Sequence, residues 1–283
     1  MNRRKFISNA AAGVGVACVA PPAFAGLLDT PRRAEATDTV ILGKTAIRAS
    51  RLAMGTGTIG SGGSSNQTRT GELTRLLRAG YDRGLTLFDT ADSYGSHPEV
   101  AEAVSKLHRD QVVIMTKCDS RDPKQAQADI DRYRRELKTD YIDILLIHCV
   151  TEGDWTTRYR GVMDVFSEAR QKGIIRSHGV SCHTIEALRA AAASPWVEVD
   201  LVRLNPVGAH MDADPQTVVG VIKEMRSQGK GIIGMKILGQ GAMRHRQDEA
   251  IRFALGTGVL DALTIGAEND VEQADLIKRI AAA

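Results

Sequence analysis

LTLFDTADSYGSHPEVAEAVSKLH, residues 85–108, holds one complete repeat of this chain's architecture. LTLFDTA is a short run of aliphatic, aromatic and β-branched residues, the composition of a buried strand. A polar turn follows, and then Pro98 stands at a first-turn position with Glu99 behind it. Proline is preorganised for a helix start, and an acid there meets the positive end of the helix dipole. The remaining residues have helical spacing, so the stretch reads as strand, loop and helix.

The same alternation recurs from Asp38 onward. The strand candidates are SRLAMGTG, LTLFDTA, VVIMTKC, YIDILLIH, IIRSHGVS, VDLVRLN, KGIIGMKIL and LDALTIG, each followed by a helical pattern. In DPKQAQADIDRYRRELK and DPQTVVGVIKEMRSQG an Asp-Pro pair opens the helix, and Gly229 closes the second. Several strands are apolar on both faces, as parallel strands between helices and a core should be. Eight such units predict an α/β fold, a (β/α)8 TIM barrel. Ahead of them, DTVILGKTAIRASRL reads as a β-hairpin around a Gly-Lys turn that caps the barrel floor. GSGGSSNQT (residues 60–68) has the composition of a flexible loop. The sequence closes on IKRIAAA, within the run expected for the last helix, so no extended tail over the barrel top is expected.

The first 25 residues are expected to be a twin-arginine export signal. Arg3 and Arg4 precede an alanine-rich run too short to span a bilayer, and Ala-Phe-Ala precedes Gly26 as a cleavage pattern. Cys18 is disfavoured as a lipid acceptor because Gly15 stands where such a site wants a branched aliphatic residue. The predicted organisation is therefore a signal over residues 1–25 and a single barrel over 26–283, periplasmic or otherwise exported. Of 37 basic residues the signal takes Arg3, Arg4 and Lys5, leaving a mature chain formally neutral against 34 acids. Nucleic acid and anionic membrane, which favour clustered positive charge, are not expected partners. The expected partners are a small-molecule substrate and the twin-arginine export machinery. Cys118, Cys149 and Cys182 are too few, and odd in number, for a disulfide framework.

In such barrels chemistry gathers at the C-terminal ends of the strands. Asp89 and, just beyond it, Tyr94 end the second strand candidate, Lys117 the third and His148 the fourth. A tyrosine is a poor acid near neutrality, and a neighbouring ammonium makes its proton easier to give. Lys117 supplies that charge, Asp89 is the anion available to a buried lysine, and His148 can orient a carbonyl oxygen. Together they make a site for protonating an alkoxide as hydride arrives, or for the reverse oxidation.

LGKTAIRASRLAMGTGT, FDTADSYG, VVIMTKC, LKTDYIDILLIH, GVSCH, GIIGMKILGQG and TIGAENDVEQ stand in the order and spacing of the aldo-keto reductase family, which the chain resembles over nearly all its mature length. The resemblance implies a catalytic tetrad of Asp89, Tyr94 as general acid, Lys117 and His148. It also implies nicotinamide binding without a Rossmann domain, along Gly55, Thr56, Ser181, Cys182, Met235, Lys236, Gly239, Gly241, Gly266, Ala267 and Glu268.

Departures from the family pattern carry their own expectations. Cys182 replaces an asparagine that holds the carboxamide, and a thiol is the weaker partner. Met235 replaces a stacking aromatic, and Lys236 is expected to reach the pyrophosphate. Glu268 lies where NADPH-using members place a base; a carboxylate repels a 2′-phosphate and accepts from a ribose diol, so NAD(H) is expected over NADP(H). Gly57, where an aromatic often lines the pocket, is expected to open the site, and Trp155 either to pack on a sugar or another bulky polar carbonyl compound or to cover the rim of the barrel.

Direct succession to site residues predicts that Cys118, Cys149 and Cys182 turn toward the helix layer as packing residues. A metal site built from them with His183 is a weaker alternative, as is a barrel that has kept cofactor binding but lost turnover. Because nicotinamide is scarce outside the cytoplasm, the cofactor is expected to be loaded before export and retained.

Overall fold

The computed structural model describes residues 33–283. The expectations for residues 1–25, including the twin-arginine signal and Cys18, lie outside them. Eight parallel strands close into a barrel: β3 (Leu52–Gly55), β4 (Leu87–Asp89), β5 (Val113–Cys118), β6 (Ile142–Val150), β7 (Ile175–Cys182), β8 (Val199–Arg203), β9 (Gly231–Met235) and β10 (Ala262–Gly266). β10 pairs in parallel with β3, Leu263 opposite Leu52 through Gly266 opposite Gly55, which closes the ring. The (β/α)8 barrel expected from the strand-helix alternation is therefore the fold.

The helices are α1 (Asn66–Thr70), α2 (Leu73–Asp82), α3 (His97–Val104), α4 (Pro123–Leu137), α5 (Trp155–Arg158), α6 (Arg160–Gln171), α7 (Ile185–Ala193), α8 (Pro215–Ser227), α9 (Gln247–Gly256) and α10 (Asp270–Ala281). α1, α4, α7, α8 and α10 each start behind a side chain that satisfies a free amide of the first turn. Asp122 accepts from Gln125 N ahead of Pro123, and Asp214 from Thr217 N ahead of Pro215. Among the described residues no helix is long and apolar enough to cross a membrane.

Strands buried on both faces divide the core in two. Leu87, Val113, Ile144, Val199, Leu201 and Ile233 point into the barrel, while Phe88, Ile114, Leu145 and Val202 pack against the helices. The inner cluster continues into Leu42, Ile47 and Ala49 of an antiparallel hairpin, β1 (Thr39–Ile41) with β2 (Arg48–Ser50). Those side chains meet residues at the N-terminal ends of the strands, so the hairpin is the barrel's floor. Its turn is held by Lys44 N donating to Gly229 O at 2.9 Å. Gly43 there has φ +51°, and a Cβ would stand 2.4 Å from Gly231 N, so only glycine fits.

The segment expected to be a flexible loop is built instead. Ser65 and Thr68 form a reciprocal capping box that starts α1. The buried Gln67 accepts from Thr58 N at 3.0 Å and donates to Gly55 O at 3.1 Å. Local serine and threonine chemistry, rather than overall composition, decides this segment.

Candidate active site

β4 ends on Asp89, and its carboxylate is held from two strands. Lys117 Nζ on β5 donates to Oδ1 at 2.5 Å, and Thr264 on β10 donates to Oδ2 at 2.8 Å. Lys117 is fully buried and also donates to Thr90 O at 2.7 Å. Burial pulls the lysine's pKa down, but Asp89 and Tyr94 together more than reverse this, so the ammonium persists. Behind it a line of buried hydroxyls ties the strand ends together: Thr56 Oγ1 lies 2.8 Å from Ser96 Oγ, which lies 2.6 Å from Thr90 Oγ1.

Tyr94 closes a 3-10 turn (Asp92–Tyr94) that α4 grips from outside. Arg132 donates two hydrogen bonds to Asp92, at 2.8 and 2.7 Å, and Tyr133 a third at 3.0 Å. Lys117 Nζ lies 4.6 Å from the centre of the Tyr94 ring, and the His148 ring meets it edge-on at 5.8 Å. The phenol, the ammonium and the imidazole therefore gather at one point. The ammonium was expected to make the phenol a readier acid, and it does pull the Tyr94 pKa down. Burial, the larger effect, raises it, and the Asp89 carboxylate raises it further, so the phenol stands above its ordinary value. Tyr94 is held as a neutral donor.

His148 is oriented by a residue that sequence reasoning missed. Its Nδ1 lies 2.8 Å from Asp119 Oδ1, leaving Nε2 as the other ring nitrogen for chemistry. Burial lowers the imidazole's pKa, and the Asp119 hydrogen bond, with Cys149, more than compensates. Asp119 stands two residues past Lys117, on the same face of an extended chain, and that alternation was the available signal. Thr264 was equally visible, as a polar residue within the apolar run LDALTIG.

Several expected residues sit elsewhere. Trp155 is fully buried in the helix layer, donating its indole N–H to Ala187 O at 3.2 Å and meeting Trp196 edge-on at 6.1 Å. It presents no face to a substrate, because α5 folds it under α7. Gly57 does not open the site, since a Cβ there would stand 2.4 Å from Tyr94 Cε2 and the tyrosine ring fills the space. Thr56, expected against the cofactor, is fully buried, and its hydroxyl is spent on Asp89 O at 3.0 Å and on Ser96. Cys182 is also fully buried, its thiol 3.8 Å from Asp200 Oδ2 in the helix layer. It offers nothing to a carboxamide. Cys118 faces the same layer, with Sγ 3.9 Å from Asp129.

Cys149 departs from the alternation that governs the other two cysteines. Between Ile147 and Val150 the pairing of β6 with β7 shifts register, so His148 and Cys149 together oppose Ser181. Such a bulge re-aims side chains. Cys149 takes φ +49°, its N–H donates to Ser181 Oγ at 3.0 Å, and its half-buried sulfur lies 3.7 Å from His183 Nε2. Among the described residues no three His, Cys, Asp or Glu side chains gather in a way that would hold a metal ion.

The other expected cofactor residues line the same rim. Met235 ends β9 inside the barrel, followed by Lys236 at φ +57°. Gly239, Gln240 and Gly241 then all take positive φ (+56°, +50° and +96°) in one tight turn. Asn205 Nδ2 steadies this segment through Lys236 O at 3.2 Å and Ala209 O at 2.8 Å. Lys236 is half-buried, and among the described residues no carboxylate lies within ion-pair distance of it. Burial, then Arg203, lower its pKa. At the end of β10, Gly266 lies against Thr58 and Gln67, and Gln67 Nε2 also reaches Ala267 O at 3.4 Å. Glu268 accepts from Asn66 Nδ2 at 2.6 Å, immediately before Asn269 caps α10, whose first turn holds Asp270 and Glu272.

The profile of the Aldo/keto reductase family matches residues 51–276. The chain is 33% identical over 162 residues to aldo-keto reductase YhdN of Bacillus subtilis (strain 168), covering 51% of this chain and 46% of that one. It is 28% identical over 191 residues to an NADH-specific methylglyoxal reductase of Escherichia coli (strain K12), covering 57% and 56%. The matched part thus spans about half the length of these curated relatives. Among solved structures, an aldo-keto reductase from Bacillus halodurans in its holo form superposes with TM-score 0.69 at 16% identity, over 86% of this chain and 91% of the other. At that identity the likeness speaks for the fold alone.

Proposed function

Because the chain belongs to the aldo/keto reductase family, we propose that it moves hydride between a nicotinamide cofactor and a small carbonyl compound or its alcohol. The observation that carries the reading is the convergence of Tyr94, His148 and the buried Lys117–Asp89 pair at one rim of the barrel. When bound, the cofactor supplies or accepts the hydride. His148 Nε2 orients the carbonyl oxygen, Tyr94 donates the proton to that oxygen, and Lys117 offsets the charge the phenol then carries. Asp89 keeps Lys117 charged, and Asp119 holds the imidazole in place.

The residues present fit a dinucleotide. Lys236, half-buried and with no carboxylate at ion-pair distance among the described residues, suits a pyrophosphate. Met235 would meet the nicotinamide end, whereas Ser181 is fully buried and its hydroxyl accepts from Cys149 N. Glu268, with Asp270 and Glu272 close behind, disfavours a 2′-phosphate, which supports NAD(H) over NADP(H).

The substrate is proposed to be a small polar carbonyl compound, an α-oxoaldehyde or an open-chain sugar. Methylglyoxal and xylose reductases among the relatives support that class. Export through the twin-arginine route, which carries folded proteins, supports a cofactor loaded beforehand and retained. Bound nicotinamide dinucleotide in periplasmic protein, detected by mass spectrometry, would bear this out; its absence, with no dinucleotide affinity, would refute retention.

A second reading, a barrel that binds dinucleotide without turnover, draws on Thr56 and Cys182 being turned away from the cofactor rim. Purified protein given NADH or NADPH with methylglyoxal, xylose and simple aldehydes separates the two. Carbonyl-dependent loss of nicotinamide absorbance is expected, faster with NADH. Dinucleotide binding with no turnover on any member of the panel would favour the second reading.

A further inference from the structure

The bulge that delivers His148 to the rim delivers a second reactive group, for which the proposed hydride chemistry has no use. Cys149 sits half-buried at the end of β6, its sulfur 3.7 Å from His183 Nε2 at the end of β7. The charged and titratable groups around it come from four elements: His148 on β6, His183 after β7, Lys236 after β9 and Tyr94 after β4. Asp212, whose Oδ2 is buried with no hydrogen-bond partner among the described residues, interacts electrostatically with His183. The other two cysteines have no such surroundings, since both lie in the helix layer beside carboxylates.

We propose that Cys149 and His183 form a nucleophilic thiol–imidazole pair at the mouth of the barrel that captures small aldehydes, α-oxoaldehydes above all, as reversible hemithioacetals. The thiol gives its proton to the imidazole, and the sulfur lone pair forms a C–S bond to the aldehyde carbon. The C=O π pair moves onto oxygen, which takes the proton back from the imidazole. Nothing is oxidised or reduced, and the reverse sequence releases the aldehyde. Burial alone would raise the thiol's pKa, but hydrogen bonds from His148 and His183 overcome it and hold the group at about 6. A thiolate at neutral pH is the nucleophilic form. Burial instead raises Cys118 to about 11 and Cys182 well above its ordinary value, so both serve as internal controls.

The inference borrows from the proposed function only the entry of a small carbonyl compound, and its test needs neither cofactor nor turnover. Native protein is labelled with iodoacetamide across a pH series, and modified cysteines are mapped by peptide mass. Of Cys118, Cys149 and Cys182 only Cys149 should label, with half-maximal rate near the thiol's value of about 6. His183→Gln should move that midpoint upward and slow labelling near neutral pH on the order of tenfold. Methylglyoxal added first should slow labelling of wild-type protein, and dilution should restore the rate. Propane-1,2-diol, with the same carbon skeleton and no carbonyl, should leave it unchanged. Labelling at the rate of an ordinary thiol, absence of aldehyde protection, or equal protection by the diol would each overturn the proposal.

Discussion

At the scale of single residues, the chemistry rests on pairs rather than on individual groups. His148 and Asp119 stabilise each other's charged forms: the imidazole's pKa is raised from 6.5 and the carboxyl's lowered from 3.8, each despite burial. For the imidazole, stability is fully present below 6.5 and is lost as pH rises through the raised value. For the carboxyl it is present above 3.8 and is lost as pH falls through the lowered value. Asp119→Asn should therefore cost stability mainly between those limits, as thermal unfolding across pH would show. Its activity should fall through kcat more than KM, and equal loss at every pH would remove Asp119 from this role. Gly57→Ala tests the seat of Tyr94, because a Cβ would stand 2.4 Å from the ring. The ring must shift, and turnover should drop about tenfold or more while the far-UV spectrum stays unchanged. Wild-type turnover in that variant would mean that Gly57 does not seat the ring.

Elements show where the sequence was legible and where it was not. Strand-helix alternation, Asp-Pro helix starts and doubly apolar strands are local patterns, and they led directly to the barrel. The residues that end β4, β5 and β6 followed from the same topology. The bulge at His148–Cys149 was not legible, since nothing in YIDILLIHCV marks where pairing slips; it aims Cys149 at the rim instead of the helices. Trp155 was misplaced for a related reason, because an aromatic after a strand can serve the mouth or the helix layer equally well. Lys230 was hidden too, a charged residue opening a strand run. It is 5% exposed and caps the end of α7, donating to Ala191 O at 2.7 Å, Ala192 O at 3.0 Å and Ser194 O at 2.5 Å. Lys230→Met would leave these carbonyls without that donor, at a cost of about 1–3 kcal/mol. Thermal unfolding should register the loss with kcat unchanged; an unaltered melting temperature would mean that water replaces the ammonium freely.

For the whole molecule, the barrel sets the division of labour. The hairpin seals the N-terminal end, so the opposite rim is left for chemistry, where β4, β5 and β6 supply the polar groups and β9 and β10 the expected cofactor contacts. Asn66 on the built loop after β3 donates to Glu268 just ahead of α10, so the proposed preference for NAD(H) would involve that loop. Glu268→Lys should improve NADPH relative to NADH by about tenfold or more in kcat/KM, the charge repelling a 2′-phosphate having been replaced by one that attracts it. An unchanged ratio would place cofactor discrimination elsewhere. Single-turnover hydride transfer in wild-type protein and Tyr94→Phe, with dinucleotide binding measured on the same samples, tests whether Tyr94 hands a proton to the substrate oxygen. Tyr94→Phe should bind the dinucleotide as wild-type protein does and transfer hydride on the order of a hundredfold or more slowly. Transfer at near wild-type rate by the Phe variant would remove Tyr94 from that role.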